Sequence, residues 1–276
     1  MQLNEAKFEI LNYSLNNSLL LRELPFTSQY SCYNLPNGRT IDPAKTVRDL
    51  GLGVLLSNDC SWSSHIQQMA KTARTMTLWV LSVFRDRSRF LMLTLYKTMV
   101  RSKLEYCCPV WNPDKISDIE AIESIQRHYT RRISGCQNLD YWERLQKLDL
   151  LSLQRRRERY ILIHTWKMMN GLAPNDIKMQ FKESSRHGIK ATVPAFNKKA
   201  QCSISTHYEN SFGVKAAKLW NLLPKEVNTI QVLEIFKSSL TKFLKGFPDT
   251  PPTKGYTAIT NNSLLEWTLQ KDLSQE

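Results

Sequence analysis

The sequence predicts a mainly α-helical protein that opens with a small β unit. Three observations carry that expectation. From residue 61 onward, apolar residues recur three and four apart in successive segments, most of them opened by a capping residue. Between Ser28 and Asp59 no helical period appears, and an Asn-Gly pair separates two short extended stretches. With 276 residues, 42% hydrophobic and 23% charged, the chain has apolar mass for a sizeable core and is too apolar for general disorder.

The elements follow in order. Residues 31–35 and 39–41 flank Pro36-Asn37-Gly38, which predicts a hairpin. The apolar run 50–56, bounded by Asp49 and Ser57-Asn58-Asp59, predicts a buried strand. Ser64 with Gln67 forms a capping box for the first helix, whose inner face is Ile66, Met69, Ala70, Ala73, Thr77, Val80 and Phe84. Ser88 is expected to cap a second helix with Phe90, Leu93, Tyr96, Val100 and Leu104 inward. That helix should stop before Cys107-Cys108-Pro109, since proline disfavours helix in the residue before it.

Ser117 with Glu120 opens a third helix with Ile119, Ile122, Gln126, Tyr129 and Ile133 on one stripe, and Gly135 supplies its stop. Asp140 with Glu143 starts a short fourth helix, and Ser152 starts a fifth that ends at Asn170-Gly171. Residues 184–210 mix Ser, Lys, Gly and Pro without a period, which predicts a basic linker or loop. Two further helices are expected over 211–221 and 228–245, the second stopped by Gly246 and facing inward through Leu233, Phe236, Leu240, Phe243 and Leu244. Pro248, Pro251 and Pro252 mark a tail over 247–276.

Charge narrows the function classes. The net charge is +13, and it is unevenly spread. Residues 65–104 carry eight Lys and Arg against Asp86 alone, and residues 178–246 carry twelve against four acidic residues. Two separate basic blocks suit a polyanion, first of all nucleic acid. Runs such as residues 77–84 are far too short to span a bilayer, and the N-terminus lacks the layout of a signal peptide. Six irregularly spaced cysteines read as reduced thiols, so a soluble intracellular chain of the cytoplasm or nucleus is expected, without a membrane partner.

Catalytic constellations are scarce. The sequence holds no Gly-rich phosphate loop, no G-x-S-x-G elbow, no H-E-x-x-H, no Asp-Asp pair and no C-x2-C pair. Adjacent Cys107 and Cys108 read as core packing in place of zinc ligands, and Asp49 and Asp59 as turn residues. No small-molecule substrate is expected.

Several runs nonetheless form a pattern. Val47-Arg48-Asp49-Leu50-Gly51 precedes Gly53-Val54-Leu55-Leu56-Ser57-Asn58-Asp59 and Ser61-Trp62-Ser63-Ser64-His65-Ile66. Leu95-Tyr96-Lys97, Leu104-Glu105-Tyr106, Pro109-Val110-Trp111-Asn112-Pro113 and Ile122-Glu123-Ser124-Ile125-Gln126-Arg127 follow. Tyr141-Trp142-Glu143-Arg144-Leu145, residues 150–157, Met169-Asn170-Gly171 and Leu219-Trp220-Asn221-Leu222-Leu223-Pro224 complete the set. In this order the runs resemble the region after the polymerase palm in LINE-type (non-LTR) retrotransposon reverse transcriptases of the jockey kind. The resemblance spans residues 1 to about 245, and Lys7 falls at the family's lysine after the catalytic strands. One departure is Gly51-Leu52-Gly53, where the family runs Leu-Gly-Val directly.

The resemblance implies palm-end strands over 1–60 and thumb-like helices over 61–135, to which the patterning adds a helical continuation over 136–183, the linker over 184–210, C-terminal helices over 211–246 and the tail. In complete enzymes of that family an aspartate pair upstream of this region holds two Mg²⁺ ions, about 3.5–4 Å apart in such sites. The chain by itself is therefore expected to be a non-catalytic, truncated fragment without a cofactor or metal site. A thumb grips its duplex through phosphates, so the expected partner is RNA, DNA or an RNA–DNA hybrid, bound without sequence preference. Lys71, Arg74, Arg85, Arg87, Arg89 and Lys97 are the candidate contacts in the first basic block. Arg155 and Arg159, projecting together from the fifth helix, are added to them. Arg157 instead falls on that helix's apolar face and is expected to be buried against Glu105, Glu123 or Glu143.

Overall fold

The computed structural model describes residues 8–13, 33–34, 38, 40–49, 51–194, 208–249 and 263–265. Lys7, the Pro36-Asn37 turn, residues 195–207 of the expected linker and most of the tail lie outside the described residues. The protein is mainly α-helical with small two-stranded sheets. It divides into a unit of residues 1–68 and a unit of residues 69–276.

In the first unit, β1 (Tyr33–Asn34) pairs antiparallel with β2 (Thr40–Ile41), and β3 (Thr46–Arg48) with β4 (Leu55–Ser57). The strand expected over 50–56 is thus shortened to residues 55–57. The reason is Asp49, whose carboxylate accepts from the amides of Gly51 at 2.7 Å and Leu52 at 2.9 Å and so turns the chain. Gly53 completes the turn with φ +71°, a conformation open to glycine. Asp49 is therefore a turn residue, and the added glycine-bearing segment forms the loop between β3 and β4. Helix α1 (Ser63–Val83) follows and carries the boundary between the units; it begins one residue before the expected box.

The second unit is built from α2 (Arg89–Leu95), a π-helical turn (Tyr96–Val100), α3 (Arg101–Glu105), α4 (Cys108–Trp111), α5 (Ile116–Thr130), α6 (Tyr141–Leu148) and α7 (Leu153–Met169). A hairpin of β5 (Gln180–Ser184) and β6 (Gly188–Thr192) comes next, then α8 (Phe212–Asn221), α9 (Lys225–Asn228) and α10 (Leu233–Lys245). Cys108 and Cys136 are buried free thiols, and burial pushes the Cys108 thiol up to about 12.

The π-helical turn has a physical explanation. Met92, Tyr96, Val100 and Leu104 are all buried, a spacing of four throughout. In a regular α-helix each such step drifts about 40° around the axis. A wider turn lets the stripe stay on one face. Phe90, expected inward, is instead 84% exposed, because the buried register runs through Met92. Ser88 stands at the N-cap, but its hydroxyl donates to Asp86 and makes no cap bond.

Other expectations hold residue by residue. The α5 stripe Ile119, Ile122, Gln126, Tyr129 and Ile133 is buried, though Lys115 is its N-cap in place of a Ser117 box and the helix ends at Thr130, five residues before Gly135. Asp140 and Glu143 form the full capping box of α6, and Ser152 accepts from the Arg155 amide to cap α7. A correction falls on residues 184–194: most of the stretch belongs to the β5–β6 hairpin, whose alternation is too polar to mark in the sequence. The helix expected over 228–245 begins only at Leu233, and Asn228 instead ends the short α9, its side chain accepting from the Ile189 amide of the hairpin. The apolar centre of this unit joins Trp166, Trp220 and Phe236, with Trp166 stacked on Phe236 at 5.8 Å.

Candidate nucleic-acid interface

The helical stripe of α1 buries Ala70 and Ala73, which leaves Lys71 and Arg74 exposed. Arg85 and Arg89 are exposed in and beside the turn between α1 and α2, and Lys97 is exposed on the π-helical turn. Arg87 lies between them yet is turned inward. Its Nη2 donates to the Leu81 carbonyl at 2.5 Å and its Nη1 approaches the Met92 sulfur at 3.8 Å. It closes the end of α1, so its place as a phosphate contact is withdrawn.

Arg155 is the larger correction. It is fully buried, donates to the carbonyls of Leu244 at 3.4 Å and Pro248 at 3.3 Å, and pairs with Glu158 at 3.6 Å. Arg159 is half-buried and donates to the Thr241 hydroxyl at 3.0 Å. Helix α7 has no broad solvent face, since α4, α5, α8 and α10 all pack against it. A stripe drawn for a one-sided helix therefore assigns Arg155 to the wrong side. Arg157 is buried as expected, at 2% exposure, but its Nε donates to Asn112 at 3.1 Å. Of its expected partners, Glu105 is bound to Arg156 and Tyr160, and Glu143 to the α6 cap. Glu123 accepts from Tyr141 and the Leu153 amide; burial lowers the Arg157 pKa, and the Glu123 charge is the main one opposing that.

Two cations were missed in the sequence. Arg131 and Arg132 are exposed just past the end of α5. The amide of Ser134 donates to the Arg87 carbonyl at 2.9 Å, and the Tyr129 hydroxyl to the Met92 carbonyl at 2.9 Å. These bonds seat the end of α5 against the α1–α2 turn. Arg131 and Arg132 thus lie on a segment bonded to the turn that carries Arg85, Asp86 and Arg89. The signal available beforehand was the Arg-Arg pair before Ile133, which a stripe-based reading passes over.

A groove of about 380 Å³ lies between α1 and α5. Arg74, Thr77 and Leu78 form one wall, and Ser124, Ile125 and His128 the other. Burial, then the charges of Arg132 and Arg131, lower the His128 pKa, so its imidazole is neutral at pH 7. Among the described residues no three His, Cys, Asp or Glu side chains stand together as a metal site. No helix among them is long and apolar enough to cross a membrane.

Comparison with known proteins gives a distant likeness. The chain is 32% identical over 89 residues to the probable RNA-directed DNA polymerase from transposon X-element of Drosophila melanogaster, covering 31% of this chain and 10% of that protein. It is 30% identical over 121 residues to an uncharacterized protein of Caenorhabditis elegans, covering 42% of this chain and 59% of that protein. The matches thus span a tenth and about three fifths of these relatives. No family model and no solved structure matches. The protein is mainly helical, with a basic surface at one end of α5, and carries a partial retrotransposon-polymerase similarity.

Proposed function

We propose that this chain corresponds to the post-palm region of a LINE-type reverse transcriptase, is non-catalytic by itself, and binds RNA, DNA or their hybrid through the backbone. The observation that carries the reading is the surface around the α1–α2 turn. Arg85, Arg89, Arg131 and Arg132 remain exposed there and Lys71 and Arg74 farther back along α1, whereas Arg155 and Arg157 of α7 are buried. Exposed guanidinium groups on helix ends suit phosphate contacts, which carry affinity without reading bases. The partial likeness to a transposon RNA-directed DNA polymerase supports a nucleic-acid partner.

The test is a salt titration of binding to an RNA–DNA hybrid and to duplex DNA. Affinity at physiological salt should be micromolar or weaker, on the order of 10⁻⁴–10⁻⁶ M, and nearly independent of sequence. The slope of log K against log salt should be steep for wild type and shallower for a variant with Arg85 and Arg89 changed to Ala. A strong preference for one sequence, or a slope near zero, would overturn the reading. Template-dependent incorporation by the pure chain with Mg²⁺ or Mn²⁺ would overturn its non-catalytic part.

A further inference from the structure

We infer that the groove between α1 and α5 receives one unpaired nucleobase from a single strand of RNA or DNA. This rests on the nucleic-acid reading above and adds to it a ligand that duplex binding does not use.

The first support is an unpartnered hydroxyl. Thr77 is 2% exposed, lines the groove, and its Oγ1 has no hydrogen-bond partner among the described residues. Threonines inside helices ordinarily satisfy themselves on the carbonyl four residues back. Thr75, Thr94, Thr98, Thr130 and Thr165 all do so here. Thr77 is turned away from that bond, and a buried hydroxyl left unsatisfied is unfavourable unless something meets it.

The second support is the chemistry of the walls. Leu78 and Ile125 offer apolar surface for the face of a planar ring, and the Arg74 guanidinium can stack on it. The neutral His128 ring stands beside Ile125 on the α5 wall, able to donate or accept at a base edge, and the Ser124 hydroxyl, which donates to the Ala121 carbonyl, can accept there. The volume of about 380 Å³ lies within the roughly 300–1,000 Å³ usual for ligand pockets.

The third support is charge. No carboxylate lines the groove, and the charges of Arg131 and Arg132 act on its His128 wall. A strand whose phosphates follow Arg131 and Arg132 would carry a base into the slot. A duplex keeps its bases stacked and cannot fill it.

Anisotropy titrations would use three labelled ligands of equal length: single-stranded oligo(dT), the same strand with abasic sites, and its duplex. Oligo(U) would stand beside oligo(dT) to compare the two sugars. The wild type should prefer the intact strand to the abasic one. Thr77→Val should weaken the intact strand about three- to tenfold, as for one lost hydrogen bond, and leave the other two unchanged. It should not lower the melting temperature, because the hydroxyl it removes has no partner in the free protein. Leu78→Ala, at a residue 62% exposed, should reduce the same preference without a folding defect.

Equal binding of intact and abasic strands by the wild type would overturn the pocket and leave the backbone reading standing. A preference for the intact strand without duplex binding would support the pocket and reject the duplex reading. Saturable binding to phosphatidylserine vesicles that Leu78→Ala abolishes, with no preference for intact strands, would overturn it in favour of a membrane surface.

Discussion

Ser134 donates its backbone amide to the carbonyl of Arg87 at 2.9 Å, across 47 residues of sequence. The bond ties the turn after α5 to the turn between α1 and α2. The Tyr129 hydroxyl adds a second tie, to the Met92 carbonyl. Two basic segments distant in sequence are in this way held as one surface. Arg87 is consumed in building that surface, through its side chain and its carbonyl, and its neighbours are left to use it.

Binding and stability should therefore separate among these arginines. Changing Arg131 and Arg132 together to Ala should reduce the salt slope on duplex DNA by about two contacts, roughly 0.9 each. Arg87→Ala should leave the slope nearly unchanged and lower the melting temperature, since its guanidinium holds the Leu81 carbonyl at the end of α1. A slope that falls with Arg87→Ala and not with the pair would reverse the assignment.

In α7 the order of sensitivity is set by burial. Arg155→Ala removes a fully buried cation with two carbonyl partners and leaves Glu158 without its ion pair. Breaking a buried pair from one side should destabilise by about 3–5 kcal/mol. Arg159 is half-buried and donates to a neutral partner, the Thr241 hydroxyl, so Arg159→Ala should cost about 1 kcal/mol. Urea denaturation of the two variants checks this. Equal midpoints would show that Arg155 does not serve the interior.

How far the sequence announced this arrangement depends on which physical rule governs each residue. Local rules were legible in part, failing at Ser88, which makes no cap bond, and at Ser117, which is not the N-cap of α5. Asp140 and Glu143 cap α6 because a capping box needs only four consecutive residues, and Ser152 caps α7 for the same reason. Rules that depend on packing were not. Arg155 was misplaced because α7 is covered on several sides, which no single-helix pattern records. Residues carrying the family resemblance prove structural at two places. Asn112 of the Pro109–Pro113 run accepts from Arg157, and Trp220 and Asn221 of the later run bond the β5–β6 hairpin. The groove escaped notice because it joins Thr77, read as core, to Ser124 and His128 on another helix.

The first unit should weaken in mild acid. The Leu55 amide donates to Nδ1 of His65 at 3.2 Å, a bond that requires the neutral ring. Burial, with the charge of Arg48 second, lowers the His65 pKa. The folded form then binds fewer protons than the unfolded chain below the ordinary histidine value of about 6.5. Its stabilising effect is complete above that pH and is lost as pH falls toward the folded value. Hydrogen exchange at the Leu55 amide, corrected for the intrinsic rate, should speed up over that range. In His65→Gln the pH dependence should flatten. Protection that is constant down through the range would remove His65 as its cause.

The β5–β6 hairpin offers a sharper test, because its free edge is paired by side chains in place of a third strand. Asn221 accepts from the Ala191 amide and donates to the Ala191 carbonyl, both at 2.9 Å, as a neighbouring strand would. Trp220 donates to the Ile189 carbonyl, and Asn228 accepts from the Ile189 amide at 3.1 Å while donating to the His187 and Leu223 carbonyls. Gly188 lies against this last side chain: a Cβ there would stand 2.1 Å from Asn228 Oδ1. Its φ of +71° adds the left-handed penalty, about 1–2 kcal/mol for a residue with a side chain. Gly171 has nearly the same φ, +68°, with nothing within 4 Å of its Cβ position, and so isolates the backbone part. Gly171→Ala should cost about 1–2 kcal/mol. Gly188→Ala should cost more, by about 1 kcal/mol for each Asn228 bond it displaces. In an Asn228→Ala background that excess should disappear, leaving the two glycine substitutions equal, as a double-mutant cycle by urea denaturation would measure. If the excess persists without Asn228, the contact between Gly188 and Asn228 is not what pins the hairpin.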